Sequence, residues 1–273
     1  MIEPAVAGVI GWPVKHSKSP LIHRFWLAKL GIDGDYCRFP VAPGRLGEFI
    51  RALPAMGLRG VNVTIPHKLA VLPFLDDIDD TAAAVGAVNC IKVFPDGRTR
   101  GANTDIAGIC APLAAHPVAG REVIILGSGG AARAALAAAQ FLGASLVTIM
   151  ARDTGKASTM MQKAGEQGKV LPWSGSLPNS PEATLLFNAT SLGMDGQPPL
   201  NIDLSVLPDD AVVFDAVYVP LETGLLRTAR ARGLVTIDGL EMLVGQAALA
   251  FEMFFGIAPP RQHDGELRTM LTR

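Results

Sequence analysis

The chain has 273 residues, of which 49% are hydrophobic and 18% are charged, and its formal net charge is −1. This composition excludes intrinsic disorder, which requires low hydrophobicity and high net charge, and the length suits one large domain or two modest ones. The 24 basic and 25 acidic side chains are mixed along the chain, so no basic stripe predicts a nucleic-acid partner.

Cysteines, histidines and apolar runs exclude several further classes of protein. The three cysteines form no C-x-x-C pair and the five histidines lack metal-ligand spacing, so we expect neither disulfides nor a bound metal. The most hydrophobic stretch, residues 131–150, contains Arg133 and Gln140 and predicts a buried helix and strand instead of a membrane span. No basic segment precedes an apolar run at the start, so we expect a soluble, cytoplasmic protein without a signal peptide.

Apolar runs alternate with helical stretches in the first half of the chain. The pattern predicts strands at Val6–Ile10, Tyr36–Phe39 and Val61–Ile65, with helices between them at Pro20–Leu30 and Leu46–Leu53. This β-α-β-α-β order indicates parallel strands with helices on both faces of the sheet. A further helix is expected from Asp105 to about Ala115.

The alternation starts again near residue 121. It predicts strands at Glu122–Leu126, Leu146–Met150, Leu185–Asn188, Val212–Asp215 and Val235–Ile237. The helices are expected at Ala131–Phe141, from Gly155 onward, and at Gly239–Phe255. The restart indicates a second α/β unit, so the sequence predicts two domains with a cleft between them.

A glycine-rich loop follows the strand at Glu122–Leu126 and opens an alanine-rich helix. Gly127, Gly129 and Ala132 match the pattern G-x-G-x-x-A. In this context the glycines allow a tight turn and a close approach of the backbone to a pyrophosphate, which the helix N-terminus favours. The loop therefore predicts dinucleotide binding, although glycine-rich turns also end strands without binding a ligand.

The end of the next strand bears on the choice of cofactor. Arg152 and Lys156 suit a 2′-phosphate, so this segment favours NADP, whereas NAD-binding units usually place an acid at this strand end. Asp153 would repel the phosphate. The alternative interpretation is a solvated, charged turn without a role in binding.

Two hydroxyl groups stand ahead of the first helix. Ser19 precedes Pro20 and has the position of a helix N-cap, which explains it structurally. Ser17 is not needed for a cap. Two hydroxyls spaced by two in an extended segment face the same way, so they are also a plausible receptor for a carboxylate.

Polar side chains also lie at positions where the pattern predicts a buried face. Asn62 and Thr64 give one side of a predicted parallel strand a polar face, which is unusual in a sheet buried on both sides and indicates a ligand site. Lys68 follows shortly, although a lone lysine is usually a surface charge. Asp105 is either a helix cap or a residue at the cleft. Gln246 shares the apolar face of a helix and needs partners, either backbone groups or a ligand.

Short motifs continue along nearly the whole chain: H-S-K-S-P at 16–20, N-V-T-I-P-H-K at 62–68, G-A-V-N at 86–89, N-T-D at 103–105, G-S-G-G-A at 127–131, N-A-T-S at 188–191, D-A-V-Y at 215–218 and G-L-E-M-L-V-G-Q at 239–246. In this order they closely resemble the shikimate dehydrogenase family of the aromatic amino-acid (chorismate) pathway. The resemblance implies an α/β fold with an N-terminal parallel-sheet substrate domain, residues 1–105 completed by residues 239–273. It also implies a Rossmann-type NADP-binding domain over residues 106–238.

The resemblance further implies the NADP-dependent, reversible reduction of 3-dehydroshikimate to shikimate. The substrate carboxylate would be held by Ser17, Ser19 and Tyr218. The substrate hydroxyls would contact Asn62, Thr64, Asn89, Asp105 and Gln246, and the catalytic pair would be Lys68 and Asp105. The cofactor would be bound by Gly127, Ser128, Gly129, Gly130, Ala131, Ala151, Arg152, Asp153, Lys156, Thr190, Ala216 and Gly239.

The chain departs from the family pattern at a few positions. Ala151 replaces the usual Asn, Asp153 the usual Thr or Ser, Lys156 the usual Arg and Val219 the usual Asn after the tyrosine. The first three lie in the expected adenosine-phosphate pocket and bear on cofactor preference. One alternative is a quinate/shikimate dehydrogenase that uses NAD or both cofactors. Another is a non-catalytic dinucleotide-binding sensor, which the presence of both Lys68 and Asp105 disfavours. A monomer or homodimer is expected.

Overall fold

A computed structural model describes residues 5–165 and 168–272. The chain divides into two compact units, one formed by Met1–Thr104 with Val244–Arg273 and the other by Asp105–Leu243. In the described part of the chain, no helix combines the length and the apolar character that crossing a bilayer requires. Assignment of one unit to the substrate and of the other to the cofactor stays a prediction.

The first unit contains a six-stranded sheet. Its strands are β1 (Ala5–Gly11), β2 (Gly34–Pro40), β3 (Leu58–Val63), β4 (Asp77–Ile78), β5 (Cys90–Val93) and β6 (Thr99–Ala102). The helices between them are α1 (Ser19–Leu30), α2 (Leu46–Ala52), α3 (His67–Ala70) and α4 (Asp80–Val85). The strand order is β2-β1-β3-β5-β6-β4. β1 pairs in parallel with β2 and β3, which agrees with the predicted β-α-β-α-β start.

A hairpin that the sequence analysis did not predict completes this sheet. β5 pairs antiparallel with β3 and with β6, so the sheet is mixed on this side. The turn lies at Asp96-Gly97, where Gly97 has a φ of +86° and its N–H donates to the carbonyl of Phe94 at 2.9 Å. Asp-Gly between two apolar runs is a strong hairpin signal, because the turn requires a positive φ that glycine adopts without strain.

The second unit contains a six-stranded, wholly parallel sheet. Its helices are α5 (Asp105–Leu113), α6 (Gly130–Phe141), α7 (Thr154–Lys163) and α8 (Gly224–Ala231). The strands are β7 (Glu122–Leu126), β8 (Leu146–Ala151), β9 (Gly168–Pro172), β10 (Ala183–Asn188), β11 (Val212–Asp215) and β12 (Val235–Ile237). The order β9-β8-β7-β10-β11-β12 is that of the doubly wound dinucleotide-binding fold, so the predicted α/β class is confirmed.

The central strand of this sheet is buried on both faces. Val123 and Ile125 of β7 pack into one apolar cluster with the alanines of α6, while Ile124 and Leu126 pack into a second cluster on the other face. Full burial of a Val or Ile side chain stabilises a fold by about 1.5–3 kcal/mol. The continuous apolar run therefore fixes β7 at the centre of the sheet.

The last helices are α9 (Gly239–Phe255) and α10 (Asp264–Leu271). The division between the two units falls inside α9, between Leu243 and Val244. In the first unit, Phe251 and Phe254 of α9 are buried beside the fully buried ring of His23. Burial lowers the pKa of His23 to about 3, so this imidazole is neutral and belongs to the aromatic core at ordinary pH.

Candidate functional site

The glycine-rich loop joins β7 to α6 in the second unit. Gly127 has a φ of +108°, a left-handed conformation that favours glycine, and its N–H donates to the carbonyl of Met150 at 2.7 Å. A Cβ added to Gly129 would meet nothing within 4 Å, so the backbone there is open to a ligand. Ala132 is fully buried against the sheet. The α6 N-terminus thus presents free N–H groups to an anion beside an accessible backbone.

A cavity of about 540 Å³ opens at this loop, along the carboxyl ends of β7, β8 and β10. Predicted cofactor residues that line it are Gly127, Ser128, Gly129, Ala151, Arg152, Asp153, Lys156 and Thr190. Other predicted cofactor residues lie outside its lining: Gly130, Ala131, Ala216 and Gly239. The donor set consists of backbone N–H groups and two cationic side chains, which fits a dinucleotide that carries an additional phosphate.

Trp173 and Gln197 also line this cavity and were not predicted. Trp173 directly follows β9, and its N–H donates to the carbonyl of Ala151 at 3.0 Å. The sequence analysis had no strand at this position, so nothing placed the indole beside the glycine-rich loop.

Asp153 has a structural role besides its place in the cavity wall. Its Oδ1 accepts from the backbone N–H of Lys156 at 2.9 Å, which makes it the N-cap of α7. An N-cap contributes about 0.5–2 kcal/mol to stability. The carboxylate therefore stabilises the helix that carries Lys156 while it places a negative charge beside the predicted phosphate position.

Replacing Asp153 with threonine should widen the preference for NADP over NAD without loss of stability. Threonine is also an N-cap residue, so α7 keeps its cap while the repulsive charge disappears. The effect on the ratio of kcat/KM for the two cofactors should be greater at low salt, because exposed charges are screened by ions. Asp153→Ala is the control, with the same gain in preference but a cost of about 0.5–2 kcal/mol in unfolding free energy. An unchanged cofactor ratio in both variants would show that the carboxylate does not act on the phosphate.

A buried carboxylate joins two loops at the same edge of this sheet. Asp215 accepts from Asn188 Nδ2 at 2.8 Å, from the Val217 N–H at 3.0 Å and from Thr223 Oγ1 at 2.7 Å. Asn188 Oδ1 in turn accepts from the N–H and the hydroxyl of Thr190. Burial raises the pKa of Asp215, while the donated hydrogen bonds oppose this effect. The N-A-T-S and D-A-V-Y segments are therefore held together by their first residues.

Three predicted residues lie after β11 or at the start of α9. A Cβ on Gly239 would stand 2.4 Å from the carbonyl oxygen of Ala216, so only glycine allows this approach. Tyr218 follows in the same loop, and burial raises its pKa. Asp238 caps α9 by accepting from the N–H groups of Leu240 and Glu241 at 3.0 and 3.2 Å. The close approach of the Ala216 backbone thus explains the glycine at position 239.

A chain of buried polar side chains runs through the first unit. The Tyr36 hydroxyl donates to Asn62 Oδ1 at 2.7 Å, and burial raises the pKa of Tyr36, so the phenol keeps its proton. Asn62 Nδ2 donates to the carbonyl of Asn89 at 3.1 Å. These partners fix the orientation of the Asn62 amide, whose second N–H remains available for an acceptor such as a ligand hydroxyl.

The chain of buried polar side chains continues from Asn89 to α9. Asn89 Oδ1 accepts from the Thr104 N–H at 2.7 Å, and Asn89 Nδ2 lies 3.0 Å from Thr104 Oγ1. Thr104 Oγ1 lies 3.3 Å from Gln246 Oε1. The structure thus joins Asn62 directly to Asn89, and Asn89 to Gln246 through Thr104. Neither Tyr36 nor Thr104 was assigned a role from the sequence, although Thr104 lies in the N-T-D motif, because no local pattern reports hydrogen bonds between distant residues.

Ser17 and Ser19 lie at the entry to α1. The N-cap interpretation of Ser19 is wrong, since α1 begins at Ser19 itself and the cap position is Lys18, without a side-chain cap. The Ser19 side chain is buried, and the Ser19 N–H lies 3.3 Å from Ser17 Oγ. Burial raises the pKa of Tyr36 and the Ser19 side chain opposes this rise, which places Ser19 close to the polar chain around Asn62.

Lys68 lies on the short helix α3, just after β3. Its carbonyl accepts from the Val88 N–H at 2.9 Å, and the neighbouring His67 is buried with Nε2 2.7 Å from the Val41 carbonyl. Because a carbonyl only accepts, His67 Nε2 carries the proton. Thr64 precedes this turn, and its N–H donates to the Ile10 carbonyl at 2.9 Å. Lys68 is half-buried, and the hydrogen bond from Val88 holds its backbone. Asp105 is buried at the start of α5, in the second unit.

The fold and these residues define a class of protein. The second unit is a dinucleotide-binding α/β unit, and the first carries a buried array of hydroxyl and amide groups suited to a small polar ligand. In the described residues, no group of three or more His, Cys, Asp or Glu side chains could hold a metal. A dinucleotide-binding unit together with a buried polar array is typical of a dinucleotide-dependent oxidoreductase.

Comparison with known proteins identifies the family. Residues 9–91 match the model of the shikimate dehydrogenase substrate binding domain, and residues 239–263 match that of the shikimate 5′-dehydrogenase C-terminal domain. Shikimate dehydrogenase (NADP(+)) of Sphingopyxis alaskensis is 51% identical over 268 residues, which cover 97% of this chain and 96% of that protein. The chain therefore belongs to the shikimate dehydrogenase family.

Solved structures agree over nearly the whole chain. Shikimate 5-dehydrogenase of Thermus thermophilus in complex with NADP(H) and shikimate has a TM-score of 0.82 and 35% identity, covering 97% of this chain and 99% of that one. A 5-ketofructose reductase of Gluconobacter sp. strain CHM43 has a TM-score of 0.90 and 32% identity, covering 99% and 100%. Proteins with this fold are thus named for different substrates, so the substrate of this protein must be argued from its site residues.

Proposed function

We propose that this protein is an NADP-dependent shikimate dehydrogenase, which reversibly reduces 3-dehydroshikimate to shikimate in aromatic amino-acid biosynthesis. The observation that carries the proposal is the buried polar chain from Tyr36 to Gln246 in a member of this family. A ring with several hydroxyl groups can extend such an array, for example by accepting from the second N–H of Asn62, whereas an apolar ligand would cover this N–H without pairing it. Ser17 and Ser19 add hydroxyl donors for the carboxylate, a group that an uncharged keto sugar lacks.

The proposed roles of the residues follow from their chemistry. When bound, NADPH supplies the hydride that reduces the substrate ketone. Lys68 donates a proton from Nζ to the oxygen that develops negative charge, and its positive charge stabilises that oxygen beforehand. Asp105 accepts a hydrogen bond from a substrate hydroxyl. Asn62, Thr64, Asn89 and Gln246 bind the remaining hydroxyls, and Tyr218 joins Ser17 and Ser19 at the carboxylate.

The cofactor residues have equally distinct proposed roles. Backbone N–H groups of residues 127–131 bind the pyrophosphate at the start of α6. Arg152 and Lys156 hold the 2′-phosphate, beside Ala151 and Asp153. Thr190, Ala216 and Gly239 line the path of the cofactor beyond the pyrophosphate. We assign residues 1–105 with 239–273 to the substrate, and residues 106–238 to NADP.

Ser17→Ala should raise the KM for shikimate by about tenfold or more while kcat changes less than about twofold. The carboxylate lies away from the reacting carbon, so its contacts are equal in the ground and transition states and affect KM alone. One charge-assisted hydrogen bond is worth about 1.5–3 kcal/mol, which corresponds to this factor. Initial rates against shikimate concentration at saturating NADP measure both constants. A fall in kcat at constant KM would contradict the carboxylate role.

Steady-state oxidation of shikimate and of quinate, each with NADP and with NAD, tests the proposed function. We expect the highest kcat/KM for shikimate with NADP. Comparable turnover of quinate, or a preference for NAD, would identify a quinate/shikimate dehydrogenase. Binding of NADP without turnover of either substrate would identify a non-catalytic sensor.

We further propose that the protein is a cytoplasmic monomer or homodimer. Its three free cysteines, Cys37, Cys90 and Cys110, suit a reducing compartment.

A further inference from the structure

An arginine outside the predicted site holds the loop that carries Ser17. Arg38 lies on β2, and its guanidinium donates twice to the carbonyl of Ser17, from Nε at 3.1 Å and from Nη2 at 2.5 Å. A fork of two donors on one oxygen restrains the direction of the Ser17 peptide as well as its position. Neither the sequence motifs nor the proposed function assigns a role to Arg38.

The remaining hydrogen bonds of the loop hold the Ser17 N–H and occupy one lone pair of the Ser17 hydroxyl. The Ser17 N–H donates to the Val14 carbonyl at 3.1 Å, and Ser17 Oγ accepts from the Ser19 N–H at 3.3 Å. One lone pair of the hydroxyl is used inside the loop, and its proton is available to an acceptor outside the loop. The Arg38 fork thus holds the backbone from which this donor projects.

The charge around this loop is positive. From Trp12 to Ile22 the sequence contains Lys15 and Lys18 but no Asp or Glu. In the described ranges, 5–165 and 168–272, no carboxylate forms an ion pair with Arg38, whereas the nearby Arg24 is neutralised by Asp35 at 2.6 Å. An uncompensated guanidinium on the Ser17 peptide therefore favours a negatively charged ligand group at this loop.

We propose that Arg38 is a positioning and specificity residue of the carboxylate receptor. It holds Ser17 through the peptide carbonyl and supplies positive charge that selects an anionic substrate over a neutral one of the same shape. This proposal rests on the proposed function, in which Ser17 binds the carboxylate of shikimate. Arg38 itself is exposed and acts through Ser17 and through its field, so we expect an effect on KM and none on the chemical step.

The test compares shikimate with its neutral methyl ester as alternative substrates for three variants. Arg38→Gln keeps a long side chain with amide donors but loses the charge and the fork. We expect the KM for shikimate to rise about three- to tenfold, as for loss of one exposed charge and its hydrogen bonds, with kcat changed less than about twofold. The KM for the methyl ester should change much less, so discrimination between acid and ester should decrease. Arg38→Lys, which keeps the charge alone, should restore part of that discrimination.

Arg24→Gln is the matched control, since it removes an arginine of the same unit whose charge Asp35 already neutralises. It should leave both KM values unchanged. Equal increases for acid and ester in Arg38→Gln would show a purely structural effect and overturn the charge role; a fall in kcat at constant KM would overturn the positioning role. Failure of the proposed function is distinguishable, because the unmodified protein would then not oxidise shikimate. A raised KM in Ser17→Ala with none in Arg38→Gln would overturn the Arg38 proposal alone.

Discussion

Replacing Lys68 with alanine should lower kcat for shikimate oxidation by about 10²–10⁴-fold, the usual contribution of a general acid–base group. The variant should still bind shikimate, because the hydroxyl and carboxylate contacts of Asn62, Asn89 and Ser17 do not depend on the lysine. Steady-state kinetics measure the loss of turnover, and calorimetric titration with shikimate measures the remaining affinity.

Lys92→Ala provides a matched control for this substitution. Lys92 is another half-buried lysine of the first unit, with Nζ 5.6 Å from the centre of the Phe94 ring and no proposed contact with the substrate. Its removal should change kcat by less than about twofold, because Lys92 makes no proposed contact in the ground or transition state. A Lys68→Ala variant that kept a tenth or more of normal turnover would assign Lys68 to substrate orientation instead of proton transfer.

Most elements of the second unit follow from sequence periodicity, and particular residues explain why. β7 is predicted with its observed bounds because an unbroken apolar run ends at Gly127, where the chain must turn. β9 was missed, since its residues are partly or fully exposed and give no apolar signal. The predicted strand at Val61–Ile65 lies too far along the chain: β3 ends at Val63, and Ile65 is 74% exposed despite its hydrophobic side chain.

The site was only partly predictable for a different physical reason. Motifs and periodicity identify the residues that we propose bind directly, such as the glycine-rich loop, but not the groups that hold them. Tyr36, Thr104 and Arg38 act through hydrogen bonds to residues that are distant in sequence, so their roles require the folded chain. The N-cap role of Asp153 was an exception, since a cap bonds a residue three positions later and could have been recognised locally.

Arg152→Ala should reduce kcat/KM for NADP by about tenfold or more while changing that for NAD less than about threefold. The guanidinium lines the cavity beside the glycine-rich loop and can meet a 2′-phosphate with several donors, each worth about 1.5–3 kcal/mol when charge-assisted. NAD has a hydroxyl at this position, so it loses no phosphate contact when the arginine is removed. The exposure of Arg152 places the expected loss at the lower end of this range.

The measurement is the NADP-to-NAD ratio of kcat/KM at saturating shikimate. Arg227→Ala, which removes an exposed arginine of the same unit outside the cavity lining, should leave the ratio unchanged. Lys156→Ala should show a smaller loss than Arg152→Ala, because an ammonium meets a phosphate as a point charge without the fork of the guanidinium. If Arg152→Ala leaves the ratio unchanged and Lys156→Ala lowers it, the lysine on α7 is the residue that recognises the phosphate. In that case Asp153, whose Oδ1 accepts from the Lys156 N–H at 2.9 Å, holds the first turn of the helix that carries the phosphate-binding lysine.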